Sequence, residues 1–286
     1  MAYAAALDEL RLGDHVCWSF ADDRDRLDAE ARFVAGGVRD AHKILIFAAA
    51  PDDVRIALTQ RDVATEALLS TGQLEIWSDE QAYLTAGRFE PEAVLTALTS
   101  LIEAAIRQGY PGVRGIADMS WVHRVAGGAP RLRWYEAQLN RLLVEGTALA
   151  VCQYDSRLFS NGMRRGVGTA HPAAYRLGES GENWSPRLRA RRVGEGPTLR
   201  LTGQVDESNW YAFETVLGGL VEEAGRTAMP AVLDVAQLTS MDGAAAWSLV
   251  SAARRVPAGL RLTGCRPELT RLLALVDGER AAQMVR

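Results

Sequence analysis

Along residues 13–178, short continuous apolar runs alternate with longer segments in which apolar residues recur every three or four positions. The runs HVCWSF within GDHVCWSF, KILIFAA at 43–49, QLEIWS at 73–78, VRGIADMSW at 113–121 and ALAVCQYD at 148–155 predict strands. Between them, Asp22–Arg39 carries Leu27, Ala31, Val34 and Val38 at helical spacing. Helices are also predicted at 51–61, opened by Pro51 and two acids, at 90–110, bounded by Pro91 and Gly109, and at 130–146. Alternating strands and helices imply a mainly parallel sheet with helices on both faces. Strands buried on both sides read as near-continuous apolar runs, and these segments fit that pattern.

The pattern changes at LGESGENWSPRLRARRVGEGP, residues 177–197, where Gly, Pro, Ser and charge predominate. Its first part reads as a linker, and RLRARRV as a candidate edge strand. Strands at 198–206, 230–236 and 260–265 then alternate with helices at 208–225, 242–256 and 267–276. The chain therefore divides into residues 1–178 and a linker with a second, smaller α/β unit at 179–286, near the common domain size of about 100 residues.

Composition narrows the classes of function. A formal net charge of −4 supplies no basic field to steer the chain to nucleic acid. No apolar run approaches the roughly 20 residues of a membrane helix, and MAYAAALDELRLGDHV has no basic n-region. A cytoplasmic protein away from membranes is expected. Three scattered cysteines, Cys17, Cys152 and Cys265, argue against a disulfide framework. There is no GxxxxGK[ST] loop, and the sole lysine, Lys43, opens a strand. Nucleotide hydrolysis is thus not expected, and the chain reads as a non-enzyme.

Strand alternation puts His15 and Cys17 on one face, and Cys152 and Tyr154 on one face. Asp118 and Asp155 fall at the carboxyl ends of strands, where open α/β sheets bind ligands. His171 follows in AHP. With Trp18, Phe20, Trp121, Tyr154 and Phe159 as candidate walls, the ligand set is His15, Cys17, Trp18, Asp118, Trp121, Cys152, Tyr154, Asp155 and His171. A small organic ligand in an apolar cleft is the favoured occupant. A zinc, haem or redox site built from His15, Cys17, Cys152 and His171 is the alternative, although their spacing is not that of a zinc finger. No cofactor is named by the sequence. SRLFSNGMRRGVGTAHP, at 156–172, reads as a solvated basic loop.

GDHVCWSF at the start, ADMSW in the middle and VCQYD…AHP at the end resemble the MEDS domain, over about residues 10–176. The resemblance implies a sensory module of bacterial signalling proteins on a RecA- or KaiC-like sheet.

In the second unit, LTGQVDESN followed by AVLDVAQLTSMDGAAAWSLV resembles the STAS domain of anti-sigma factor antagonists, over about residues 186–286. That family commonly reads DLSxVxxMDSSGL, and its second serine after the Asp accepts phosphate. Asp234 matches the first acid, and Met241 and Asp242 the MD pair. Gly243 stands at the first serine and Ala244 at the acceptor. Alanine has no oxygen to phosphorylate. Asp242 then reads as the N-cap of the next helix, and Thr239 and Ser240 as solvated turn residues. The partner surface implied is Ser240, Met241, Asp242, Gly243, Ala244 and Trp247.

The expectation is a non-enzymatic signalling regulator. Its first unit senses a small ligand or cellular state, and its second binds an anti-sigma factor or kinase-like regulator. A homodimer is a further candidate assembly. A nucleotide-dependent switch or ATPase on the RecA-like fold, and a metal or redox sensor, are the alternatives.

Overall fold

The computed structural model describes residues 7–85, 87–175 and 187–285. The strands are β1 (His15–Phe20), β2 (Lys43–Ala48), β3 (Leu74–Ser78), β4 (Leu84–Thr85), β5 (Arg88–Phe89), β6 (Val113–Asp118), β7 (Ala148–Asp155), β8 (Ala173–Tyr175), β9 (Leu188–Arg192), β10 (Thr198–Val205), β11 (Ala231–Met241) and β12 (Leu260–Thr263). The helices are α1 (Asp23–Arg39), α2 (Pro51–Thr59), α3 (Thr65–Ser70), α4 (Asp79–Ala82), α5 (Pro91–Arg107), α6 (Gly128–Leu143), α7 (Asn161–Gly168), α8 (Trp210–Thr227), α9 (Gly243–Ala253) and α10 (Pro267–Met284).

Six strands in the order β3-β2-β6-β7-β1-β8 form the larger sheet, and every pairing in it is parallel. Helices cover both faces, as the apolar runs require. One face packs Cys17, Phe47, Ala117, Cys152 and Tyr154 against α5 and α6. The other packs Val16, Trp18, Phe20, Ile46, Ile116 and Val151 against α1 to α3. Local chemistry sets the ends: the Asp22 carboxylate accepts from the Arg24 and Asp25 amides, and Pro51 and Pro91 open their helices. Gly36 and Gly37 let α1 approach the sheet closely. A Cβ on Gly36 would lie 2.4 Å from the buried Arg114 guanidinium, and one on Gly37 2.5 Å from Ile44.

The smaller sheet has the order β12-β11-β10-β9, with β9 antiparallel and the other pairings parallel. Its strands alternate. Leu188, Ala190, Leu199, Leu201, Leu233 and Leu262 enter a core with α8, α9 and α10, while Arg189, Arg200, Asp234 and Arg261 point the other way.

Several elements differ from the sequence expectation. The strand predicted at 113–121 stops at Asp118, whose carboxylate accepts from the Ser120 amide and starts a 3-10 turn at Ser120–Arg124. The 156–172 segment is not a loop throughout. Ser160 caps α7 through the Met163 amide, and β8 adds a sixth strand. The strand predicted at 230–236 runs on to Met241, because Ser240 and Met241 pair with Gln204 and Val205 beyond a register shift. The last helix reaches Met284, broken at Asp277 (φ −161°, ψ 96°). The predicted 177–186 linker lies outside the described residues.

The two units are docked. Arg189 of β9 donates to both oxygens of the buried Asp14 (2.8 and 2.9 Å). The Arg192 amide donates to the Val144 carbonyl, and the Ala212 amide to the Thr169 carbonyl. On α6, Arg133 stacks over Trp210 and Tyr211, and Arg141 pairs with Glu222 of α8. The LRARR run is thus spent on the interface rather than left as a free basic patch.

Candidate functional site

Helix α6 lays an apolar stripe on the sheet through Leu132, Tyr135, Leu139 and Leu143, and two polar residues, Glu136 and Asn140, fall on the same buried side. Opposite them, β1 and β7 pair in the register His15↔Ala150 and Cys17↔Cys152. The turn after α7 brings in His171. His15, Glu136, Cys152 and His171 thereby meet, with one ligand atom from each lying within 4.8 Å of the others and all four buried.

The hydrogen bonds fix how these groups face. The Asn140 amide nitrogen donates to the carbonyls of Glu136, Ala137 and Ala170, so its oxygen is left to accept from His15 Nδ1 at 3.0 Å. His171 Nδ1 donates to the Val167 carbonyl at 2.9 Å. With both Nδ1 atoms committed, both Nε2 atoms point at the Glu136 carboxylate, at 3.2 and 3.4 Å. Cys152 Sγ lies 3.3 Å from Glu136 Oε2 and 3.4 Å from His15 Nε2. The Tyr154 hydroxyl donates to Glu136 Oε1 at 2.5 Å.

Burial governs the protonation of this cluster. It lowers the His15 imidazole, helped by the charge of His171 and opposed by Glu136. Burial would raise Glu136, but the facing imidazoles, His171 first and then His15, overcome it and hold the carboxyl below its usual range. Burial, then the Glu136 charge, pushes the Cys152 thiol and the Tyr154 phenol well up. Glu136 is therefore the anion of the cluster, and the Tyr154 hydroxyl donates to it.

The sequence-predicted residues do not form one site. His15, Cys17, Trp121, Cys152, Tyr154 and His171 lie on the α6 side of the sheet, with Cys17 one pleat beyond the cluster. Trp18 and Phe20 pack on the opposite face. Asp155 is bound by Arg157, which also holds Asp23, and burial's upward push on Asp155 is overcome by those bonds. Asp118 caps the Ser120 turn. Near it, Asp79 is buried and raised to about 6, chiefly by burial and then by Asp118, against the pull of Arg124. Glu136 was missed in the sequence. Its signal was an acid, followed four residues later by Asn140, on an otherwise apolar helical stripe.

An apolar cavity of about 50 Å³ adjoins the cluster at Cys152, lined by Phe47, Tyr83, Leu98, Tyr135 and Leu139 among others. Of the predicted ligand residues, only Cys152 lines it.

In the second unit, Asp242 accepts from the Ala245 amide at 2.8 Å and caps α9, as the sequence implied. Ser240 is in β11, and Thr239 donates to the Gly203 carbonyl rather than to water alone. Met241 packs partly into the core, Gly243 and Ala244 are exposed, and Trp247 is 54% exposed beside Arg254. A hollow of about 360 Å³ borders Thr239, Ser240 and Met241, with Arg266, Glu268 and Leu269 opposite.

A model of the methanogen/methylotroph, DcmR sensory domain (MEDS) family matches residues 14–172. No curated protein matches the chain. Among solved structures, the chain is similar to a KaiC-like protein from Pyrococcus horikoshii OT3. The two share 14% identity over 57% of this chain and 69% of that one, with a TM-score of 0.41. Among the described residues, no helix is long and apolar enough to cross a membrane.

Proposed function

The chain belongs to the MEDS family of sensory domains, and on that premise we propose that it is a non-catalytic signalling regulator with two working parts. The first unit senses a small ligand or cellular state. The second, STAS-like in sequence, binds an anti-sigma factor or a related kinase-like regulator through the Ser240–Trp247 surface. The supporting observation is the position of α6. One side of this helix carries Glu136 and Asn140 into the buried cluster, and its other side carries Arg133 and Arg141 onto α8 of the second unit. The segment holding His171 also touches both, since the Thr169 carbonyl accepts from Ala212 and the Pro172 carbonyl from Leu188. A change at the cluster therefore has a short packed route to the partner-binding unit. Such a route alters binding only if the two states of the cluster favour different packings.

The exposed α9 start supports a constitutive docking surface. Phosphate would bring about −2 charge to this helix N-terminus, and Gly243 and Ala244 offer no acceptor.

The test is affinity capture of the tagged full chain from its native cells, beside a Trp247→Ala variant. Wild type is expected to retain an ATP-binding anti-sigma-type regulator, and the variant to lose most of it. Recovery of no such regulator, or equal recovery by both, overturns the reading. Addition of ATP is expected to leave residues 239–244 unmodified, and phosphate on Ser240 would reinstate the switch in another place.

A further inference from the structure

We propose that His15, Glu136, Cys152 and His171 form a four-coordinate site for one divalent transition-metal ion, with zinc the best match to the donors. Two neutral imidazoles, a carboxylate and a thiolate are a donor set that zinc accepts. The distances fit. Ligand atoms roughly 2.0–2.3 Å from a tetrahedral zinc ion lie about 3.3–3.8 Å from one another. The four contacts His15–Glu136, His171–Glu136, Cys152–Glu136 and Cys152–His15 measure 3.2, 3.4, 3.3 and 3.4 Å. The two remaining pairs, His171–His15 and His171–Cys152, lie within 4.8 Å, so closing around an ion asks for a small inward shift of His171.

The surrounding bonds point the same way. Each imidazole donates its Nδ1 proton, one to the Asn140 oxygen and one to the Val167 carbonyl. That leaves both Nε2 lone pairs directed inward, the arrangement that orients histidine ligands. His171 Nε2 is fully buried and makes no hydrogen bond among the described residues. With both imidazoles neutral, two nitrogen lone pairs face carboxylate oxygen at hydrogen-bond distance and repel it. A positive charge between them removes that repulsion. A divalent ion supplies it in full balance: Glu136 and a Cys152 thiolate contribute two negative charges, and the thiol proton leaves to solvent as the metal enters. Tyr154 on the second Glu136 oxygen would then fix that carboxylate's orientation.

The site lies wholly within the first unit. Absence of metal would leave the partner reading standing, and absence of a partner would leave the metal site standing. The full chain, expressed with zinc supplied, is desalted and its metal measured by mass spectrometry. A parallel sample is refolded with cobalt(II) in place of zinc. About one ion per chain is expected, with a sulfur-to-cobalt charge-transfer band in the near ultraviolet. Cys152→Ala is expected to lose that band and to lower retained metal at least tenfold. If Cys152→Ala does not fold, the double variant Cys17→Ala/Cys265→Ala decides the question, because Cys152 is then the only thiol and the band must persist. Folded wild type holding under a tenth of an ion per chain after both treatments overturns the proposal. So does a cobalt spectrum without the thiolate band, or the loss of that band in the double variant.

Discussion

Where the six-stranded sheet closes over His15, Glu136, Cys152 and His171, the four-stranded sheet turns its charges outward. Arg200 pairs with Asp234 in solvent at 2.7 Å, while Glu136 is wholly enclosed among its partners. The first arrangement makes every buried donor and acceptor depend on its neighbours. The second leaves each group solvated if its partner is lost. Two kinds of function suit this difference: an internal site that responds to what enters it, and a surface that is read by another protein.

Removing one charge from each region is expected to give the largest difference. Glu136→Ala strands two imidazoles, a thiol and a phenol in the core, and breaking a buried ionic network of this kind costs roughly 3–5 kcal/mol. Arg200→Ala is expected to cost less than about 1 kcal/mol, as for exposed pairs in general. Urea unfolding of both variants reads the contrast. Equal losses would mean that the enclosed cluster is not a supported network.

The next effect belongs to another buried carboxyl of the first unit, Asp79. Its carboxyl is raised to about 6 by burial and by Asp118, with Glu80 adding to the rise and Arg124 opposing it. The folded state therefore binds the proton more tightly than the unfolded chain. The contribution of this group to stability is greatest below about pH 4 and falls as pH rises towards 6, by at most about 3 kcal/mol. Asp79→Asn is expected to flatten that slope, so that the variant gains on wild type at pH 7.5 and matches it below pH 4. Urea midpoints across that range measure it. A wild type whose stability rises steadily from pH 4 to 6, with the variant following in parallel, would contradict the assignment.

These contrasts also explain what the chain discloses before folding. The parallel sheet was legible because apolar runs, such as Ile44–Ala48 in β2 and Ala148–Cys152 in β7, alternate with amphipathic helices, the pattern that two-sided burial favours. The smaller unit was legible from its Leu/Arg alternation and its turn residues. The cluster was legible only in part. His15 and Cys152 could be placed by strand alternation, but nothing local says that β1 lies next to β7, a contact between residues far apart in the chain. Glu136 sits in a helix that sequence reading treats as amphipathic packing. Cys17, chosen instead, is on the correct face but one pleat away. Asp118 and Asp155 were grouped with the rest by position at strand ends, and Trp18 as an aromatic wall, and neither criterion reveals which face of the sheet a side chain takes.

Smaller effects are expected at the exposed start of α9. Asp242→Ala removes the oxygen that accepts from the Ala245 amide, and loss of such a cap costs about 1 kcal/mol. The helix start should loosen with little change elsewhere. Hydrogen exchange is expected to speed at residues 244–246 and not in β1 or β7. Uniform acceleration across both units would show that the cap supports the whole interface rather than one exposed helix.

Ala244→Ser should change stability least and function most. The position is exposed at the first turn of α9, so the hydroxyl meets water, and surface changes of this kind stay within about 0.5 kcal/mol. What the substitution adds is an acceptor beside Asp242, at the helix N-terminus. If the Ser240–Trp247 surface docks on an anti-sigma-type kinase, that partner should phosphorylate the introduced hydroxyl and then bind the variant less tightly, since the added charge changes a surface that otherwise presents small residues. Intact-mass spectrometry and a binding titration follow both steps. A partner that binds wild type and variant equally while leaving the new hydroxyl unmodified would place its contact elsewhere on the second unit, with the hollow between Ser240 and Arg266 the next surface to alter.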